Sequence, residues 1–199
     1  MNPKVLRLAT LLLAVASLLI GALDAAGKLE GIPLVWRPTN RKDVGVVNLL
    51  GITEIKIQVE PFVDTRPDKA KFGENQEDKQ PKLATTTGSV AEFCTQNFAI
   101  TLRQFGLSVV PEGGEVIVGA EILEFMVTES NTYKGEVRLK VSVKRQGKTE
   151  WIGLASGTAS RFGRSYKAEN YYETISDSLL EAAVNAIRDE GFRKSLLAK

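Results

Sequence analysis

Histidine is absent from the whole chain, and cysteine occurs once, at Cys94. The first absence removes serine–histidine and cysteine–histidine nucleophile pairs, histidine zinc sites and the usual neutral-pH general base. The second excludes an intrachain disulfide and a thiolate metal cluster. No G-x-x-x-x-G-K-[ST] or G-x-G-x-x-G segment is present to cradle phosphate, and no D-x-[DN]-x-[DN]-G loop to hold calcium. The sequence therefore calls for no cofactor and no metal. An apolar run of the roughly 20 residues that a helix needs to cross a bilayer is also missing. Charge of one sign is scarce as well: 26 basic residues against 24 acidic leave +2, which speaks against nucleic acid as a partner.

What is present begins with an export signal. Lys4 and Arg7 precede an apolar run from Leu8 to Leu23, and small residues follow at Ala25 and Gly27. That order of charge, short apolar segment and small residues is a secretory signal peptide over residues 1–27, with an uncleaved signal anchor as the alternative. Cleavage would remove Lys4, Arg7 and Asp24 and leave a near-neutral chain in the periplasm. A membrane would then be met only through an uncleaved signal.

Residues 28–50, with Pro33 and Pro38, read as an extended lead-in, and 51–199 as a single domain. Ile55, Ile57 and Val59 alternate with polar residues as a half-buried strand. Asp64 to Gly88 is polar and reads as a solvated loop. Ser89 and Glu92 form a capping box for a helix whose stripe carries Val90, Phe93, Cys94, Phe98 and Leu102, and Gly106 ends it. On that stripe Cys94 is expected to be an inert core thiol.

"LSVVP", "VIVGAEILEFMV", "EVRLKVSVK" and "TEWIGLASGTASRF" read as four more strands, the long ones joined as hairpins. Gly153 and Gly157 in the last strand suggest close packing or a bulge. A second helix is expected to open at Asn170 as its cap and to run to about Asp189, with Gly191 as its stop. The order β-α-β-β-β-β-α predicts an α+β fold: a two-layer, mixed but mostly antiparallel sheet with both helices on one face. Its first strand pair is expected to be parallel. Phe93, Leu102, Leu139, Val141, Ile175 and Leu179 should share one core.

Carboxylates are the one remaining catalytic resource. Glu121 and Glu124, three apart in a strand, are expected on opposite faces. Glu173, Asp177 and Glu181, spaced by four, read as a solvated helix face. No enzyme emerges. Two segments are candidate binding surfaces. Asp64 and Arg66 sit just past a strand end, where turn chemistry is the better explanation of them. Arg161, Arg164 and Lys167 interleave with Tyr166 and Tyr171 in "SRFGRSYKAENYY", a composition typical of recognition surfaces and suited to an anionic envelope component.

The D-x-R after the first strand, the glycine-rich last strand and the "ENYYE" opening of the final helix resemble the YajG-like family of bacterial envelope lipoproteins. The resemblance runs from about Ile52 to Ile187. It implies a periplasm-facing, lipoprotein-like domain without established catalytic residues. On that reading the chain is a non-catalytic accessory or scaffold protein that docks on an envelope protein complex or on itself. A carboxylate-based hydrolase acting on an envelope polymer is the alternative. "SLLIGALDAAG" holds no cysteine for lipidation, so a periplasmic form without a lipid anchor is expected.

Overall fold

Three long strands form the centre of the molecule. β6 (Val116–Glu129), β7 (Thr132–Arg145) and β8 (Lys148–Phe162) run antiparallel as a meander. Along the other side of β6 the chain lays three short pieces end to end, all parallel to it: β1 (Ile57–Val59), β2 (Val63–Asp64) and β3 (Lys71–Asn75). β5 (Val109–Val110) adds in parallel beyond β1, and β4 (Lys82–Thr85) pairs antiparallel with β3. The computed structural model describes residues 29–40, 45, 47–77, 79–163 and 166–198, so the signal segment 1–27 and Arg164 lie outside the described residues.

The α+β class and the mixed, mostly antiparallel sheet are those expected, with eight strands in place of five. The difference lies in the polar stretch after Asp64. Phe72, Gly73, Asn75 and Ala84 are buried there, and they anchor the β3–β4 hairpin that the charge pattern conceals.

The helices are α1 (Val90–Gln104), α2 (Ala168–Arg188) and α3 (Glu190–Leu197). All three cover one face. Phe93 of α1 meets Phe125 of β6, Tyr171 of α2 meets Tyr133 of β7, and Phe192 of α3 meets Trp151 of β8, with ring centroids 5.4 to 5.9 Å apart. Phe93, Leu102, Leu139, Val141, Ile175 and Leu179 do belong to one buried core. α1 begins as its sequence says, with the Ser89 hydroxyl accepting from the Glu92 amide at 3.2 Å, and ends before Gly106, whose φ of +84° suits glycine.

The other helix ends differ from expectation. α2 starts at Ala168 with Lys167 as an N-cap that makes no side-chain cap bond, so Asn170 lies inside the first turn. Gly191 does not stop the helix. Asp189 breaks it, and its carboxylate accepts from the Phe192 amide at 2.8 Å, which restarts the chain as α3. Burial of Phe192 and Leu196 makes that restart favourable.

α2 lies unusually close to the sheet. A Cβ at Gly157 would sit 2.0 Å from the Ser178 carbonyl oxygen and 2.3 Å from the Ala182 nitrogen. One at Gly135 would meet the Ser178 hydroxyl at 2.4 Å. Two glycines on neighbouring strands therefore let the helix backbone rest on the sheet backbone.

Candidate functional site

Residues 29–40, within the extended lead-in, run as a strap across β4 and along α2. The Ile32 amide donates to the Thr85 carbonyl and the Thr85 amide to the Leu29 carbonyl, both at 2.8 Å. Further on, the Arg37 amide donates to the Ser176 hydroxyl at 3.1 Å. Asp177, fully buried, then takes four bonds. Oδ1 accepts from the Thr39 and Asn40 amides at 2.7 and 3.0 Å, and Oδ2 from the Thr39 hydroxyl and the Asn40 side-chain amide at 2.7 and 3.0 Å.

Glu173, one turn earlier, is 4% exposed and lies between Arg37 (3.2 Å) and Arg161. The expected solvated stripe is therefore wrong at two of its three positions. A segment from the far end of the chain covers it, giving Glu173 one of its two cations and Asp177 its four hydrogen-bond donors.

The same arrangement explains Arg161. Its guanidinium pairs with Glu173 and reaches the Thr39 hydroxyl at 3.5 Å, so its charge is spent inside the molecule. Tyr171 is buried too. Its hydroxyl donates to Glu129 Oε2 at 2.9 Å, and its ring packs edge-on against Phe72 and Tyr133. Burial and then the neighbouring carboxylate push its phenol well above the ordinary tyrosine range. Tyr166 adopts φ +49° and its amide donates to Glu129 Oε1 at 3.1 Å, while Lys82 sits 5.3 Å over its ring. Lys167 is exposed at the helix start. The proposed cationic–aromatic surface is thus mostly a set of internal ties.

Those ties converge on Glu129. Burial raises its carboxyl pKa, but hydrogen bonds from Tyr133, the Tyr166 amide and Tyr171 help to outweigh it and hold the group below the usual carboxylate range.

Asp64 and Arg66 form a second lock. Arg66 is 7% exposed; Nε and Nη2 bond Asp64 at 2.9 and 2.7 Å, and the remaining donors reach the carbonyls of Lys69, Lys71 and Phe125. With the fork filled, the motif fixes the turn between β2 and β3. Cys94 lies behind it at 0% exposure, and burial pushes its thiol far up, which keeps it protonated and inert.

Among the described residues, the opposite face of the sheet carries no helix. Here the expectation for Glu121 and Glu124 fails because of a bulge. Register shifts between Ile122 and Glu124, Leu123 is the extra residue, and both acids emerge on the open face. Each has a cross-strand cation: Lys140 at 3.0 Å from Glu121 and Arg138 at 3.7 Å from Glu124, with Lys144 at 3.3 Å from Glu60 beside them. A hydrolase would need two carboxyl groups about 5–9 Å apart in a cleft and free to act. Glu60, Glu121, Glu124 and Glu173 are instead engaged by cations and Asp177 by amides.

Between and beside these ion pairs stand apolar side chains. Val63, Leu83, Ile152, Leu154 and Phe162 all project from the open face, with exposures of 58, 49, 56, 68 and 94%. Sequence reasoning missed this face. Its signal lies in β8, where the small residues Gly153, Ala155, Gly157 and Ala159 alternate with Ile152, Leu154, Ser156 and Thr158. The small ones turn inward, where α2 closes over Gly157 and the Trp151 ring over Gly153, and the larger ones face outward.

No family model matches the chain, and no curated protein matches it. Among solved structures, a Xanthomonas campestris protein of family DUF330 is similar over 81% of this chain and 91% of its own, at 8% identity and a TM-score of 0.49. The PelC dodecamer from Paraburkholderia phytofirmans is similar over 65% and 88%, at 14% identity and 0.37. Lipoprotein GNA1162 from Neisseria meningitidis is similar over 53% and 83%, at 15% and 0.34. These are partial likenesses in the arrangement of strands and helices. Among the described residues no helix is long and apolar enough to cross a membrane.

Proposed function

We propose that the chain is a non-catalytic accessory protein of the bacterial cell envelope, exported to the periplasm and acting by docking through its open sheet face. Export is supported by the charged start, apolar run and small residues of 1–27, and the envelope setting by the resemblance to the YajG-like lipoproteins. The observation that carries docking is the open face itself. Five of the eight most exposed large hydrophobic residues among the described ones lie there, and three of them, Val63, Ile152 and Leu154, flank the ion pairs of Lys140 and Lys144. Apolar groups gathered on one face with charged neighbours are the mark of an interaction surface.

Docking moves here from the Arg161–Tyr172 segment because Arg161 and Tyr171 of that segment are engaged internally. Crosslinking in living cells, followed by mass spectrometry, tests the reading. Wild type should give periplasmic adducts that a Leu154→Asp, Ile152→Asp variant loses while its fold is retained. Protein confined to the cytoplasm, or adducts unchanged in the variant, would overturn it.

A further inference from the structure

Four residues stand side by side across the open face in one row: Leu154 on β8, Lys140 on β7, Glu121 on β6 and Val63 on β2. Read from either end the row is apolar, charged, oppositely charged, apolar. Leu154 and Val63 are 68 and 58% exposed, and the side chains of Lys140 and Glu121 are 44 and 45% exposed although they pair with each other at 3.0 Å. A surface of this pattern is complementary to itself under a two-fold rotation about an axis parallel to the strands, between β6 and β7. Such an operation lays Lys140 on the partner's Glu121 and Leu154 on the partner's Val63, and repeats both contacts by symmetry.

We infer that the occupant of the open face is a second copy of this chain, packed sheet on sheet. This rests on the docking reading above and names its partner.

Neighbouring rows agree with the operation. Arg138 stands beside Glu124 one row along, so the same rotation again sets a basic side chain over an acidic one. In the other direction Ser142 and Gly119 occupy the middle of the row that begins with Ile152. Their small size leaves a hollow of about 290 Å³ lined by Pro61, Val63, Glu121, Lys140 and Ile152. Leu154 of the opposite copy arrives over Val63, at the rim of that hollow, and can fill it. Packed sheets lie about 10 Å apart and turn by about 30°, so complementarity is best near the axis row. The rows that do not obey the pattern, such as that of Glu136, lie away from it, and Glu136 already has Arg138 at 3.4 Å.

Helix-side docking of a second copy is not offered by the same features. The acids there are covered by the strap, and the middle of the free β8 edge is closed. The Asn185 amide donates to the Ser156 carbonyl at 2.8 Å, and Glu181 accepts from the Thr158 amide at 3.3 Å. Edge-to-edge pairing is blunted, whereas face-to-face pairing is open.

Sedimentation equilibrium of the full chain at low salt, up to about 100 μM, tests the inference. Wild type should be dimeric. Lys140→Glu and Glu121→Lys should each weaken self-association about 10-fold or more, since each places like charges across the axis. An equimolar mixture of the two variants should form a heterodimer, because every contact across the axis is then between opposite charges. Recovery on mixing also shows that the single variants are folded. Leu154→Asp, which no mixture with itself can rescue, should stay monomeric with an unchanged circular dichroism spectrum. A wild type that is monomeric at the top concentration, single variants that dimerise as well as wild type, or folded variants that fail to associate on mixing would each overturn the second copy as occupant. A monomeric chain whose open face still crosslinks to another envelope protein would leave the docking reading standing and remove only this inference.

Discussion

Asp177 accepts four hydrogen bonds from two consecutive strap residues while fully buried. Asp177→Ala would leave the Thr39 and Asn40 amides without their acceptor, at a cost of about 3 kcal/mol. Urea denaturation should show that loss, and chymotrypsin should cut after Trp36 in the variant at native conditions where wild type resists. Arg161→Ala should also destabilise, because it strips buried Glu173 of one of its two cations. Glu129 adds a dependence on pH. Its folded carboxyl titrates below its unfolded value, so it contributes stability above about pH 4 that is lost as pH falls through the folded value. Glu129→Gln should therefore be less stable than wild type at pH 7, and the gap should narrow toward pH 3 in paired thermal melts. None of these partnerships is legible in the sequence. Arg37 and Glu173 stand near opposite ends of the chain, and spacing within α2 records only a run of acids.

The contact of α2 with the sheet depends on two glycines, and Gly157 is the tighter of them. Gly157→Ala must push helix backbone, not a flexible side chain, and should cost about 3 kcal/mol or more. Gly119→Ala, also in a long strand, meets only the ends of the Glu60 and Ser142 side chains at 3.4 and 3.6 Å and should be nearly silent. Melting temperatures of the two variants provide the comparison. Strand alternation and the Ser89 cap were readable because they are local and periodic. The β3–β4 hairpin escaped because its inward positions include a glycine, an asparagine and an alanine, which no hydrophobic pattern counts. The bulge at Leu123 escaped because one added residue reverses facing without changing composition.

At the scale of the whole molecule, the two faces of the sheet have separate tasks. One holds the core, the strap and the buried ionic ties; the other is left open with apolar side chains and paired charges. Composition excluded histidine chemistry and phosphate cradles, yet it could not show that Arg161 and Tyr171 are engaged inside the molecule. An arginine–tyrosine cluster looks the same in sequence whether its groups face a partner or one another. The central claim is that the open face is occupied in the cell. Amine labelling of the periplasm in cells with permeabilised outer membranes, compared with dilute purified protein, measures this directly. The account expects Lys134, Lys140 and Lys144 to label several-fold more slowly in the cell, with Lys167 and Lys194 on the other side unchanged. Equal labelling of the open-face lysines in both settings would contradict it.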